Sequence, residues 1–140
     1  MSTTPSTSAT TTTTTTTITT MATIKWFGLP QKHDYPAAQS YLSLTMKPDA
    51  VKKIVAALKK AEMTTFKSKD IFRASLLSLL GVSNYHVEKV RAEILTGQEL
   101  SPLLLYREKA TGRLIIADGY HRLCAVYGFD EDAVIPCKIV

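Results

Sequence analysis

The chain has 140 residues, 45% of them hydrophobic, and a formal net charge of +5. This length suggests one domain, and no apolar run approaches the ~20 residues that a membrane-spanning helix needs. Cys124 and Cys137 lack metal-ligand spacing and read as reduced, half-buried thiols of a cytoplasmic protein.

Residues 2–20 are almost wholly Ser and Thr, with an unbroken Thr run from Thr10 to Thr17. Ile18 is the one large apolar side chain there, so the stretch cannot bury enough surface to offset chain entropy and is expected to be disordered. It has neither the basic start and apolar core of a signal peptide nor the Arg content of a transit peptide. Met21 offers an alternative start. The folded unit is expected over 21–140.

His33-Asp34-Tyr35-Pro36 resembles a helix start, with Asp34 or Tyr35 near the cap, and predicts one short helix over 37–45. Pro48 opens a clearer element. Val51, Ile54, Val55 and Leu58 recur at i, i+3, i+4 and i+7, the apolar stripe of a helix. Lys52, Lys53, Lys59 and Lys60 fall largely on the opposite side. Residues 47–73 hold eight Lys and Arg against three Asp and Glu, an excess equal to the net charge of the whole chain. The bland reading is a solvated helix face; the sharper one is a docking surface for a polyanion such as nucleic acid.

Between residues 64 and 80, Ile71 to Ser75 reads as a strand and Leu76 to Gly81 as an apolar loop or helical turn. Ser83 or Asn84 then caps a helix whose buried stripe is Val87, Val90, Ile94 and Leu95, with Gly97 at its stop. Leu103 to Tyr106 and Leu114 to Ala117 form a hairpin around Ala110-Thr111-Gly112-Arg113. A helix over 120–127, closed by Gly128, and a last strand from Val134 to Val140 complete the order. Pro136 points to an edge or strand-start position. The alternation indicates a mixed α/β, or α+β, domain with a small sheet.

The stretch Leu114 to Ala125 organises the rest. A short buried strand ends at Asp118-Gly119, and a helix begins at Tyr120. Backbone N–H groups, the positive end of the helix dipole, His121 and Arg122 thus converge, which favours an anion, most often a phosphate. Asp118 also reads as a simple helix cap, and Tyr120 as a pocket wall.

The order of helix, Ser101-Pro102 strand, hairpin, Asp118-Gly119-Tyr120-His121-Arg122 helix and Ile135-Pro136 strand resembles the ParB/sulfiredoxin superfamily over residues 68–140. It leaves 21–67 as a helical extension. The resemblance implies a ParB/sulfiredoxin-like fold that binds a nucleotide (ATP, ADP or CTP) with Mg²⁺, or a small phosphorylated ligand. Phosphates would be held by Gly119, Tyr120, His121 and Arg122. In the sulfiredoxin branch a catalytic Cys directly precedes the His; Tyr120 stands there, so sulfinic-acid reduction does not carry over. The partitioning branch has Gly-Glu-Arg-Arg and a following helix-turn-helix domain, for which this sequence leaves no room. The wording is closest to the free-serine-kinase-like branch, with its Asp-Gly-His-x-Arg motif. By that resemblance Glu88 or Asp118 would take a hydroxyl proton in phosphoryl transfer or nucleotide hydrolysis. The rival readings are a non-catalytic regulatory or binding module of the same fold, and a nucleic-acid binder or nuclease-like protein using Lys52, Lys53, Lys59 and Lys60. No metal site of protein ligands alone is expected.

Overall fold

A computed structural model describes residues 23–80 and 84–140. The Thr-rich tail, and Ser83 as a helix cap, lie outside them. Among the described residues the fold is α+β, with five helices and six strands. The strands are β1 (Lys25–Trp26), β2 (Thr64–Lys67), β3 (Glu99–Leu100), β4 (Leu103–Glu108), β5 (Arg113–Asp118) and β6 (Val134–Ile139). The helices are α1 (Asp34–Leu42), α2 (Pro48–Lys60), α3 (Ser68–Ser75), α4 (Tyr85–Leu95) and α5 (Tyr120–Phe129). No described helix is long and apolar enough to cross a membrane.

Four strands form one sheet in the order β2-β6-β4-β5, and β1 pairs with β3 in a parallel two-stranded ribbon. β4 and β5 are the expected antiparallel hairpin, turning through Gly112 at φ +69°. β6 runs parallel to β4 and antiparallel to β2.

Alternate side chains of β4 and β5 supply two apolar clusters, as the two-residue strand period requires. Leu104 and Ala117 pack with Ala38 and Leu42 of α1 and Val51, Ile54, Val55 and Leu58 of α2. Leu103, Leu105 and Ile116 pack with Ile71 of α3, Val87, Val90 and Ile94 of α4, and Leu123 and Val126 of α5. Helices therefore cover both faces of the sheet. The apolar stripe expected for α2 is buried throughout, and Lys52, Lys53, Lys59 and Lys60 are exposed. The far end of α2 is tied to the sheet by Lys138, which is buried and donates from Nζ to the Lys59 carbonyl at 3.0 Å. A cation among the last carbonyls of a helix is favoured by its dipole.

Several expectations change. Ile71 to Ser75 is helix, not strand: Ile71 is buried and Ser68 fastens the start of α3 to the Asp130 and Glu131 carbonyls. The neighbouring strand is instead Thr64–Lys67. Leu95 is 63% exposed, because α4 presents only Val87, Val90 and Ile94 to the core. Gly128 lies within α5, which continues to Phe129. Pro136 sits in an interior strand: it faces Thr65 of β2, and the pairing with β4 begins one residue later at Cys137, so its missing N–H interrupts no bond to β4.

The helix expected over 37–45 runs over Asp34–Leu42, the extension expected to be helical over 21–67 also carries β1 and β2, and the cysteines expected to be half-buried are fully buried. The cap reading of Asn84 agrees with the structure. Asn84 caps α4, its side chain accepting from the His86 and Val87 amides at 2.9 and 3.2 Å. Both cysteines are free and buried, and burial pushes the Cys137 thiol up to about 11 despite the nearby Arg107.

Candidate functional site

The end of β5 positions the site. Asp118 is the last strand residue, Gly119 the N-cap of α5, and Tyr120, His121 and Arg122 its first turn. Gly119 has φ +110°, and a Cβ there would lie 2.7 Å from Leu103 Cγ. Both the backbone conformation and the contact with β4 therefore require glycine. Among the described residues no side chain caps this helix, which leaves its first amides to an acceptor from outside them.

Arg122 turns back toward the strand ends. Its Nη2 donates to Asp118 Oδ2 at 3.0 Å and lies 3.9 Å from Asp34 Oδ2. Asp34, from the start of α1, is only 2% exposed, and Arg122 19%. The Asp34 carboxylate also accepts from Ser101 Oγ and from the Gln31 amide, and His33 Nε2 stands 3.3 Å from its other oxygen. One guanidinium is thus shared by two carboxylates, whereas its Nε is buried without a hydrogen-bond partner among the described residues. Burial holds the Asp118 carboxyl above the ordinary carboxylate range, against the pull of Arg122.

His121 leaves this cluster and faces α4, its ring 4.8 Å from that of His86. Burial first, then the charges of His86 and Arg122, lowers its basicity and favours the neutral imidazole. His86, Lys89, Val90 and Glu93 join Asp118 to Arg122 around a cleft of about 210 Å³. On the opposite side Asp118 to His121 border a larger cleft of about 550 Å³, whose other lining includes Ala37, Tyr41, Leu77 and Ile116. Tyr120 donates its hydroxyl to the Ser78 carbonyl and so pins the apolar loop after α3 to the turn. Burial, with Cys124 beside it, pushes the Tyr120 phenol up to about 12, so it stays protonated as a donor.

Of the residues singled out by sequence, Asp118, Gly119, Tyr120, His121 and Arg122 come together. Glu88 does not: it is exposed on the first turn of α4 and lies outside the lining of the cleft. Five participants were not singled out. His86, Lys89 and Glu93 recur at helical spacing on α4, a polar stripe beside the buried one, and that signal was present in the sequence. Asp34 and Ser101 carry no such signal, since only the tertiary fold brings α1 to the end of β5.

Among the described residues no group of three or more His, Cys, Asp or Glu is gathered to hold a metal. No family model matches this chain, and neither a curated protein nor a solved structure matches it.

Proposed function

We propose that the domain binds a nucleotide or related phosphate at the Asp118–Arg122 turn, in the manner of the ParB/sulfiredoxin-like proteins that the motif resembles. The observation that carries this reading is the uncapped start of α5 behind Gly119, opening beside a cleft shared with His121, His86 and Lys89. Free amides at the positive end of a helix, with a cation nearby, select a compact anion. Arg122 is already neutralised by Asp34 and Asp118. Charge for the ligand therefore comes from Lys89, and hydrogen bonds from the amides and a neutral His121 that donates one N–H, while Arg122 holds the turn in shape.

Mg²⁺ fits this donor set only as a companion of the phosphates. Such ions commonly take one or two carboxylates and complete their shell with phosphate oxygens and water, and Asp118 is the carboxylate at the turn. When bound, the ion would offset the repulsion between Asp118 and the phosphates. Asp118 and Glu93 are the carboxylates that line the cleft and could accept a hydroxyl proton, since Glu88 is exposed and away from it. That separation supports a second reading, a module that binds the ligand without transferring it. Exposure of Lys52, Lys53, Lys59 and Lys60 is compatible with a nucleic-acid surface on α2, which would weaken steeply with salt.

Thermal unfolding with and without Mg²⁺-ATP, ADP, CTP and inorganic phosphate tests the proposal. A ligand at 100 times its Kd is expected to stabilise the fold by about 2.7 kcal/mol, several degrees in Tm. Lys89→Gln and His121→Gln should reduce that shift. No shift with any of the four would sink the phosphate reading; a shift without turnover would select the binding module.

A further inference from the structure

At the opposite end of β5 lies a different cleft, of about 340 Å³. The sheet is apolar there but incompletely covered, because α3 is only eight residues long. Phe66, Ile71, Ala74, Leu114 and Ile139 form its walls, and Phe66 remains 37% exposed. Two guanidinium groups, Arg107 of β4 and Arg113 of β5, border the same cleft.

Those two arginines differ from Arg122 in having no carboxylate. Among the described residues neither has an Asp or Glu oxygen within 4.0 Å. Asp70, the one acid in the lining, is turned to Arg73, 3.6 Å away. Arg113 is also held in place: its Nε donates to the Ser75 carbonyl at 3.1 Å. This leaves the paired terminal nitrogens of the fork for an external acceptor, in a geometry that matches a carboxylate. Apolar walls with a few convergent polar groups, at the small end of ligand-pocket volumes, are what a small organic ligand requires.

We propose that this cleft binds a small monocarboxylate with an aryl or short alkyl body, the carboxylate on Arg107 and Arg113 and the body against Phe66, Leu114 and Ile139. The site is separate from the phosphate turn and does not depend on it. A free acid is favoured over a peptide terminus because the cleft holds only about 340 Å³.

The test is an amide NMR titration of the whole chain with phenylacetate, hexanoate, uncharged hexanamide and inorganic phosphate. Both acids should move the Gly112, Leu114 and Ile139 amides saturably, and hexanamide should bind about tenfold more weakly or worse. R107Q and R113Q should each weaken phenylacetate about tenfold, with unchanged α2 amide positions showing that the variants fold. The proposal is overturned if neither acid moves those amides at millimolar concentration, or if hexanamide binds equally. It is also overturned if both variants bind as the parent does, if phosphate alone reproduces the shifts, or if a tetrapeptide ending in Phe binds more tightly than phenylacetate.

Discussion

The two ends of β5 place arginine in opposite circumstances. At the Asp118 end Arg122 is mostly buried between two carboxylates, and its charge is spent inside the protein. At the other end Arg113 is fixed through Nε to a carbonyl, with no carboxylate beside it among the described residues. Burial and neighbours, rather than residue type, decide whether a guanidinium is a structural tie or a free charge. On the binding proposed for each end, an anion at the Asp118 turn would meet amides, His121 and Lys89, and one at the Arg113 cleft the guanidinium itself.

The strongest way to break this comparison is Asp34→Ala. It removes a buried carboxylate from Arg122, Ser101 and Gln31 together, and deleting one partner of a buried charged cluster costs about 3–5 kcal/mol. Urea unfolding should show that loss; a cost below about 1 kcal/mol would mean that Asp34 does not hold Arg122. Gly119→Ala comes next, at about 1–3 kcal/mol, since it combines a left-handed backbone with a clash against Leu103. Calorimetry measures this change, and any phosphate-induced Tm shift should vanish with it.

A pH effect should be smaller. His121 has a folded-state pKa below the ordinary 6.5, so its contribution to stability is present above 6.5 and is lost as pH falls through the folded value. His121→Gln should therefore flatten the fall in Tm of the parent protein between about pH 7.5 and 5. Equal slopes in the two proteins would remove His121 from the account. Smallest is Arg107→Gln, an exposed change with no ion pair to lose, expected within about 0.5 kcal/mol of the parent protein in urea. A larger loss would show that this end of β5 also uses its arginine as a tie.

Periodicity made α2 legible, because its four apolar residues repeat over two turns and all four are buried. It did not decide Ile71 to Ser75, where eight residues are too few for a helical period to stand out and the strand propensity of Ile-Phe pointed the wrong way. The turn at Gly119 was legible as well, since a glycine between an apolar strand and a helix has few other uses. What Arg122 contacts was not legible. Its partner Asp34 sits in the extension outside the stretch that carried the resemblance, and the nearby Asp118 accounts for only half of the cluster. The three polar residues of α4 were readable in principle, but an exposed stripe on a helix carries no mark of what faces it.

The central place of β6 has a consequence for how the chain acquires its shape on the ribosome. β2 and β4 are not neighbours; both pair with Val134–Ile139, the last strand in the order. Until that segment emerges, β2 has no partner, and the β4–β5 hairpin presents one unsatisfied edge built around Leu103, Leu104 and Leu105. Helices and the β4–β5 hairpin have local partners as they appear, whereas β2 can join the sheet only through β6. A nascent chain ending at Ala133 would therefore be a client for a chaperone that shields bare strand edges.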